Sequence, residues 1–256
     1  MLVQNPRIDL LPDGHPGPRR FKIKTAESGD RRGLIDSLLK SRYGFRGYNQ
    51  VSLPTDQSVH RFTLVAIEDD ETIGTITVAF DGPLGLSAET AFRPEVQALR
   101  DQNRRVCEFT KLAIDPTIGT KRVLAALFHV AHIVAHRLRG FDTLLIEVNP
   151  RHARYYERML GCQVLAPERH NPTVNAPAVL LKADFSYIMK QIGEFGGQPE
   201  RAAGERSLYP FAFTLAEEAA IISRMKARQL ALQSRQADGG PATVTPSEFP
   251  GSDLIT

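Results

Sequence analysis

The sequence predicts an α/β fold with a mixed central sheet, and three observations carry that expectation. Apolar β-rich runs alternate with helical patterns from residue 21 to residue 184. Two of the runs are joined by Glu68-Asp69-Asp70-Glu71, a polar turn that suits an antiparallel hairpin. A long stretch with apolar residues almost all round separates two further runs, as expected of a crossover helix covered on several sides. Residues 1–19 are punctuated by Pro and Gly without a period and read as a flexible arm. Phe21 and Ile23 alternate with lysines as a first strand, and Leu34, Ile35, Leu38 and Leu39 share one face of a helix over 30–42. Strands over 62–67 and 72–80 form the hairpin, and 93–103 is a polar helical insert. The strand VCEFTKLAI (106–114) stops at Asp115-Pro116. The central helix spans 120–139, a strand follows over 141–148, and Asn149 and Pro150 cap and start a helix over 150–160. A Pro- and Asn-rich turn at 171–177 precedes a last strand over 178–183, giving the order β-α-β-β-α-β-α-β-α-β. Beyond it, helices over 187–194 and 215–233 form a helical extension (185–235), the latter with Leu215, Ala219, Ile222 and Met225 as its apolar stripe. The end, 236–256, has the composition of a disordered tail.

Composition excludes several classes of function. With 42% hydrophobic and 24% charged residues in 256, the chain is neither fibrous nor disordered and has the material for a core. Its two cysteines, Cys107 and Cys162, form no CxxC or Cys/His cluster, so no disulfide framework or zinc site is expected and a reducing cytoplasm fits. A formal charge of +3 does not demand nucleic acid but suits an acidic protein partner. The longest apolar stretch, 123–135, is broken by His129 and His132 and falls short of the ~20 residues of a spanning helix. No apolar export segment follows the first charged residues.

Four stretches, in order, give the chain a family resemblance. Ser41-Arg42-Tyr43-Gly44-Phe45-Arg46-Gly47-Tyr48 is similar to an "LRYxVYxxxGY" segment, and Glu108-Phe109-Thr110-Lys111-Leu112-Ala113-Ile114-Asp115-Pro116 to an "ExSRLxVDP" strand with lysine for the usual arginine. The run from Val148 to Cys162 resembles "VNPRHxxxYxRxLGF" without its last aromatic, and Tyr209-Pro210-Phe211-Ala212-Phe213-Thr214-Leu215-Ala216-Glu217-Glu218-Ala219 resembles "YPYFFSPADEA". These motifs resemble those of long-chain N-acyl amino acid synthases, relatives of the acyl-homoserine lactone synthases, over residues 21 to 226. The resemblance implies a GNAT acyltransferase fold, in which thioester and amine meet between two splayed parallel strands. It implies transfer of a fatty acyl group from acyl carrier protein, by its phosphopantetheine, to the α-amino group of an amino acid.

Amide formation from a thioester needs a base for the amine, stabilisation of the oxyanion and a proton for the departing thiolate. Glu108 stands in an otherwise apolar strand, where burial raises a carboxyl pKa toward the useful range, and the resemblance puts it in the active centre. Strict alternation sets Lys111 on the opposite face from Glu108 unless the strand bulges, and sets Thr110 on the same face. The resemblance makes Arg42, Tyr43, Phe45, Phe109, Thr110, Lys111 and Leu112 substrate-binding residues, with Arg42 suited to a carboxylate. It makes Tyr156 the proton donor to the thiolate, with Tyr155 as its competitor.

The segment Pro116-Thr117-Ile118-Gly119-Thr120-Lys121-Arg122 has one glycine where CoA-using enzymes of this fold wrap a pyrophosphate with several, which favours a carrier-bound pantetheine. Carrier proteins are acidic, and Arg104, Arg105, Lys121 and Arg122 lie at the ends of the central helix where one would dock. His129, His132 and His136 share one helical face, but no carboxylate or Cys accompanies them in sequence, so polar positions on a buried helix are expected rather than a metal. The alternatives are an autoinducer synthase, a CoA-dependent acetyltransferase, and a non-catalytic acyl or carrier-protein binding module, the last kept open by Lys111 and Cys162.

Overall fold

A computed structural model describes residues 21–26, 30–44, 60–117 and 120–237. Seven strands, β1 (Lys22–Thr25), β2 (Arg61–Glu68), β3 (Glu71–Phe80), β4 (Val106–Ile114), β5 (Thr143–Val148), β6 (Gln163–Asn171) and β7 (Ala176–Asp184), form one sheet in the order β1-β2-β3-β4-β5-β7-β6. Every neighbouring pair is antiparallel except β4 and β5. The acidic turn between β2 and β3 works because Asp69 (φ 48°) and Asp70 (φ 63°) both accept positive φ, which a tight two-residue hairpin requires.

The sheet alternates its apolar residues between two layers. Leu144, Ile146 and Val148 of β5, with Val179 and Leu181 of β7, join the large core beneath α3 (Lys121–His132), α4 (Pro150–Leu160) and α5 (Phe185–Phe195). Leu145 and Leu180 point the other way, into a smaller core under α2 (Glu89–Asp101). A third cluster, with Ile35 and Leu39 of α1 (Asp30–Gly44), covers Val65, Ile67 and Ala113. The central helix expected from sequence is therefore real, but its last turn, Ile133–Leu138, is π-helical. The final helix, α6 (Leu215–Ala237), closes on α3 through Ile221 and Met225. As expected, Asn149 caps α4 by accepting from Arg151 N–H and Pro150 starts it; Gly161 (φ 70°) ends it in the left-handed conformation.

Two elements differ from the sequence expectation. Strand β6 was not foreseen: QVLAPERHN has no alternation and contains Pro167, both tolerable because β6 pairs only with β7 at the sheet's edge. The buried face of α6 is also shifted: Met225 is buried and Ile222 partly so, as expected, but Leu215 is 59% exposed and Ala219 is exposed while Glu218 and Ile221 point inward. A carboxylate takes the inward position because two partners await it, as shown below. The arm expected over 1–19 and almost all of the tail lie outside the described residues. No helix among the described residues is long and apolar enough to cross a membrane.

Candidate active site

Strands β4 and β5 pair over only three residues, Val106, Cys107 and Glu108 opposite Thr143, Leu144 and Leu145. Beyond that point they form a fork, with six more residues of β4 on one prong and three of β5 on the other. The prongs open toward the N-terminal ends of α3 and α4, because each helix follows its strand directly.

Glu108 sits at the crotch, the last paired residue of β4, with no exposed surface. One carboxylate oxygen, Oε2, accepts from Ser87 N–H at 2.7 Å, in the loop that leads into α2. The other, Oε1, is buried without any hydrogen-bond partner. Burial pushes the Glu108 pKa up to about 7; the nearby Glu147 adds to the rise, and the N–H groups of Ser87 and Ala88 oppose it. The loop that holds Glu108 is itself fixed by Arg100, which grips Asp81 at 2.6 Å and Glu89 at 2.5 Å, while Glu89 also accepts from Leu86 N–H. Glu147, from β5, is equally buried and is held by Asn171 of β6. Sequence reasoning missed it, although a single carboxylate in TLLIEV was the same signal that marked Glu108.

The strand does bulge at the residue in question. Thr110 opposes Thr77 and Ala113 opposes Thr75, so β4 carries an extra residue, and Lys111 takes a positive φ of 50°. The consequence is visible in the core, where Phe109 and Leu112, three apart, share one face. Lys111 therefore falls on the side of Glu108 and Thr110, and Thr75 Oγ1 clamps the bulge by donating to Lys111 C=O at 2.8 Å. Thr63 and Thr77, hydrogen-bonded to each other at 2.7 Å, continue a buried polar floor between the two small apolar clusters.

On the other side of the fork lies an apolar pocket, reached by Phe109 of β4 and Leu144 of β5 and roofed by α3, α5 and the 208–212 segment. The seven expected substrate contacts are thus divided. Thr110 and Lys111 stand with Glu108, Phe109 faces the cavity, and Leu112 packs in the core. Phe45 and the side chains of Arg42 and Tyr43 lie outside the described residues. Of the two tyrosines on α4, Tyr156 is wholly buried in the core, whereas the Tyr155 hydroxyl is buried without a hydrogen-bond partner. Burial pushes the Tyr155 pKa up to about 12, so the group stays protonated.

The four basic residues expected to meet a carrier protein do not form one patch. Arg104 and Arg105 precede β4 and Lys121 and Arg122 follow it, so a nine-residue strand, roughly 30 Å, separates the pairs. Arg104 is engaged by Asp142 at 2.9 Å and Asp184 at 2.5 Å, and Arg105 donates to Arg139 C=O. Lys121 and Arg122 sit at the open end of the fork, where Thr120 caps α3 by accepting from Val123 N–H at 3.3 Å. No group of three or more His, Cys, Asp and Glu suited to a metal occurs among the described residues. His129 instead accepts from Phe213 N–H at 3.0 Å and meets Glu218 at 3.1 Å.

Comparison with known proteins bears on the family and the fold. A family model described as N-acyl amino acid synthase FeeM matches residues 35–184, well over half of the chain. The solved structure of FeeM, an N-acyl amino acid synthase from uncultured soil microbes, is 22% identical with a TM-score of 0.58, and covers 67% of this chain and 93% of its own. A probable acetyltransferase from Staphylococcus epidermidis is 13% identical, covering 64% and 99%, with a TM-score of 0.47. The AHL synthase LasI is 14% identical, covering 65% and 89%, with a TM-score of 0.41. No curated protein sequence matches the chain significantly.

Proposed function

Because the chain belongs to the FeeM family of N-acyl amino acid synthases, acyltransferases on a GNAT-like fold, we propose that it moves a long-chain fatty acyl group from acyl carrier protein to the α-amino group of an amino acid. The observation that carries this reading is the unpartnered Glu108 oxygen at the crotch of a strand fork, with an apolar cavity on the far side. A buried carboxylate with a pKa of about 7 is a base at neutral pH, able to take a proton from the incoming ammonium group. The freed amine nitrogen attacks the thioester carbonyl, the C–N bond forms, and the C–S bond breaks. Tyr155 donates its proton to the departing thiolate and takes back the second proton that the nitrogen sheds as the amide forms, while the proton held by Glu108 passes to solvent. The carrier's pantetheine enters at the open end of the fork, alongside the β4 edge that no described strand covers beyond Glu108. Lys121 and Arg122 face an acidic carrier there, and the side-chain cap of α3 already occupies one of the N–H groups a diphosphate would use.

The test is incubation of the purified chain with mixed amino acids and either tetradecanoyl carrier protein or tetradecanoyl-CoA, followed by mass spectrometry. Masses of fatty acid plus amino acid minus water are expected from the carrier-bound donor. Product from CoA alone would overturn the donor assignment, and product from neither would overturn amide formation. Tyr155→Phe is expected to lower kcat only about tenfold, less than for a typical general acid, because a thiolate leaves readily near neutral pH. If Tyr155→Phe turns over normally while Tyr156→Phe is impaired, the role passes to Tyr156.

A further inference from the structure

The three histidines on one face of α3 are not equivalent. His129 has both ring nitrogens engaged, by Phe213 N–H and Glu218, and His136 donates from Nδ1 to Phe141 C=O at 2.7 Å. His132, between them, is 1% exposed, lines the apolar cavity, and has no hydrogen-bond partner at either Nδ1 or Nε2. Its ring is braced against Phe185, His129 and His136 with centroids 5.2–6.0 Å away, contacts that fix its place but satisfy neither nitrogen. Burial, with His129, His136 and Arg137 adding to it, drives its pKa well below the usual value, so the ring is neutral and offers one donor and one acceptor. An orphaned polar pair in an apolar wall is costly and is relieved by an oxygen brought in with the occupant. The π-helical turn begins at the next residue, Ile133, a deviation frequent at functional sites.

We propose that His132 selects the acyl chain, hydrogen-bonding a hydroxyl group borne on it, so that the cavity takes a hydroxylated fatty acyl group in preference to the saturated one. A hydroxyl suits either nitrogen, since it donates to the bare one and accepts from the protonated one. The inference rests on the cavity being the acyl site of the proposed synthase, but its test does not require turnover. Displacement of a bound fluorescent fatty acid by tetradecanoic acid and by its 3-, 7- and 12-hydroxy derivatives measures cavity preference directly. At least one hydroxy acid is expected to bind about tenfold more tightly than tetradecanoic acid, the worth of one hydrogen bond to an otherwise unpaired buried group. In His132→Leu that ratio should fall to about one, and in His132→Gln it should be partly kept. A wild-type chain that treats all four acids alike overturns the proposal whatever the variants do, and so does a preference that survives in His132→Leu. Amide synthesis without hydroxyl preference would sink this inference alone, whereas hydroxyl preference without amide synthesis would sink the synthase reading and leave the binding role of His132 standing.

Discussion

Glu108→Gln is expected to lower turnover by about 10²- to 10⁴-fold while raising thermal stability above neutral pH. The two effects share one cause. Below about pH 4.5 the carboxyl is protonated in both the folded and the unfolded chain, so it adds no pH dependence. Between 4.5 and about 7 the unfolded chain releases its proton and the folded chain keeps it, so wild-type stability falls as pH rises, by up to about 3 kcal/mol at the upper end. Glutamine removes that penalty and can still accept from Ser87 N–H, so the variant should melt several degrees higher at pH 8 and no higher at pH 4.5. Wild-type kcat/KM should rise with pH through about 7, and the residual activity of the variant should lose that step. Turnover within tenfold of wild type would remove Glu108 from the base role, and melting without a pH-dependent gain would show that its carboxyl is ionised at no cost.

The second large effect is expected at Glu218, an inward position of α6 that the sequence pattern did not mark. His129 accepts from Phe213 N–H at Nδ1, which puts its proton on Nε2, and that proton goes to Glu218 Oε2; Arg137 holds Glu218 Oε1 at 2.8 Å. Burial alone would raise the Glu218 pKa, but the bonds from His129 and Arg137 outweigh it and hold the carboxyl below its usual range. One carboxylate thereby ties α6 to α3 and fixes Phe213 beside Ala212 and Tyr209, which line the cavity. Glu218→Ala strands the buried imidazole N–H, at a cost of roughly 1–3 kcal/mol, and should lower the melting temperature by about 5 °C. The contribution is complete above about pH 4.5 and is lost as pH falls through the lower folded value, so the deficit should narrow in acid. With the roof loosened, turnover of a tetradecanoyl donor should fall more than that of a butanoyl donor. An unchanged melting temperature would show that the network holds nothing, and equal loss on both donors would make α6 a general support rather than a cover for the acyl cavity.

Much of this protein is written locally. Alternation and helical period fix β1 to β5 and β7, because burying one face of each element imposes a pattern that survives in the chain order. The Asp69-Asp70 hairpin, the Asn149-Pro150 helix start and the glycine that ends α4 are short-range chemistry, legible without neighbours. Glu108 was legible too, as a charge in a strand with no other reason to carry one. What could not be read depended on residues far apart in sequence. Whether Lys111 stands with Glu108 turns on a single extra residue in β4, set by its register against β3 and the clamp from Thr75. Which face of α6 is buried was decided by His129, 89 residues away, because an inward carboxylate is tolerable only where donors already wait. Glu147 joins Glu108, Tyr155 keeps its hydroxyl unpaired, and His132 is left without a partner between two satisfied histidines, only once the sheet and helices have closed. Sequence determined every strand but β6 and marked Glu108 as the proposed base, since alternation and burial are written along the chain, while the fork was carried by the family resemblance. Tertiary structure alone decided which polar groups were left unpaired, since that depends on where every other donor and acceptor has gone, and those groups are where the chemistry is proposed.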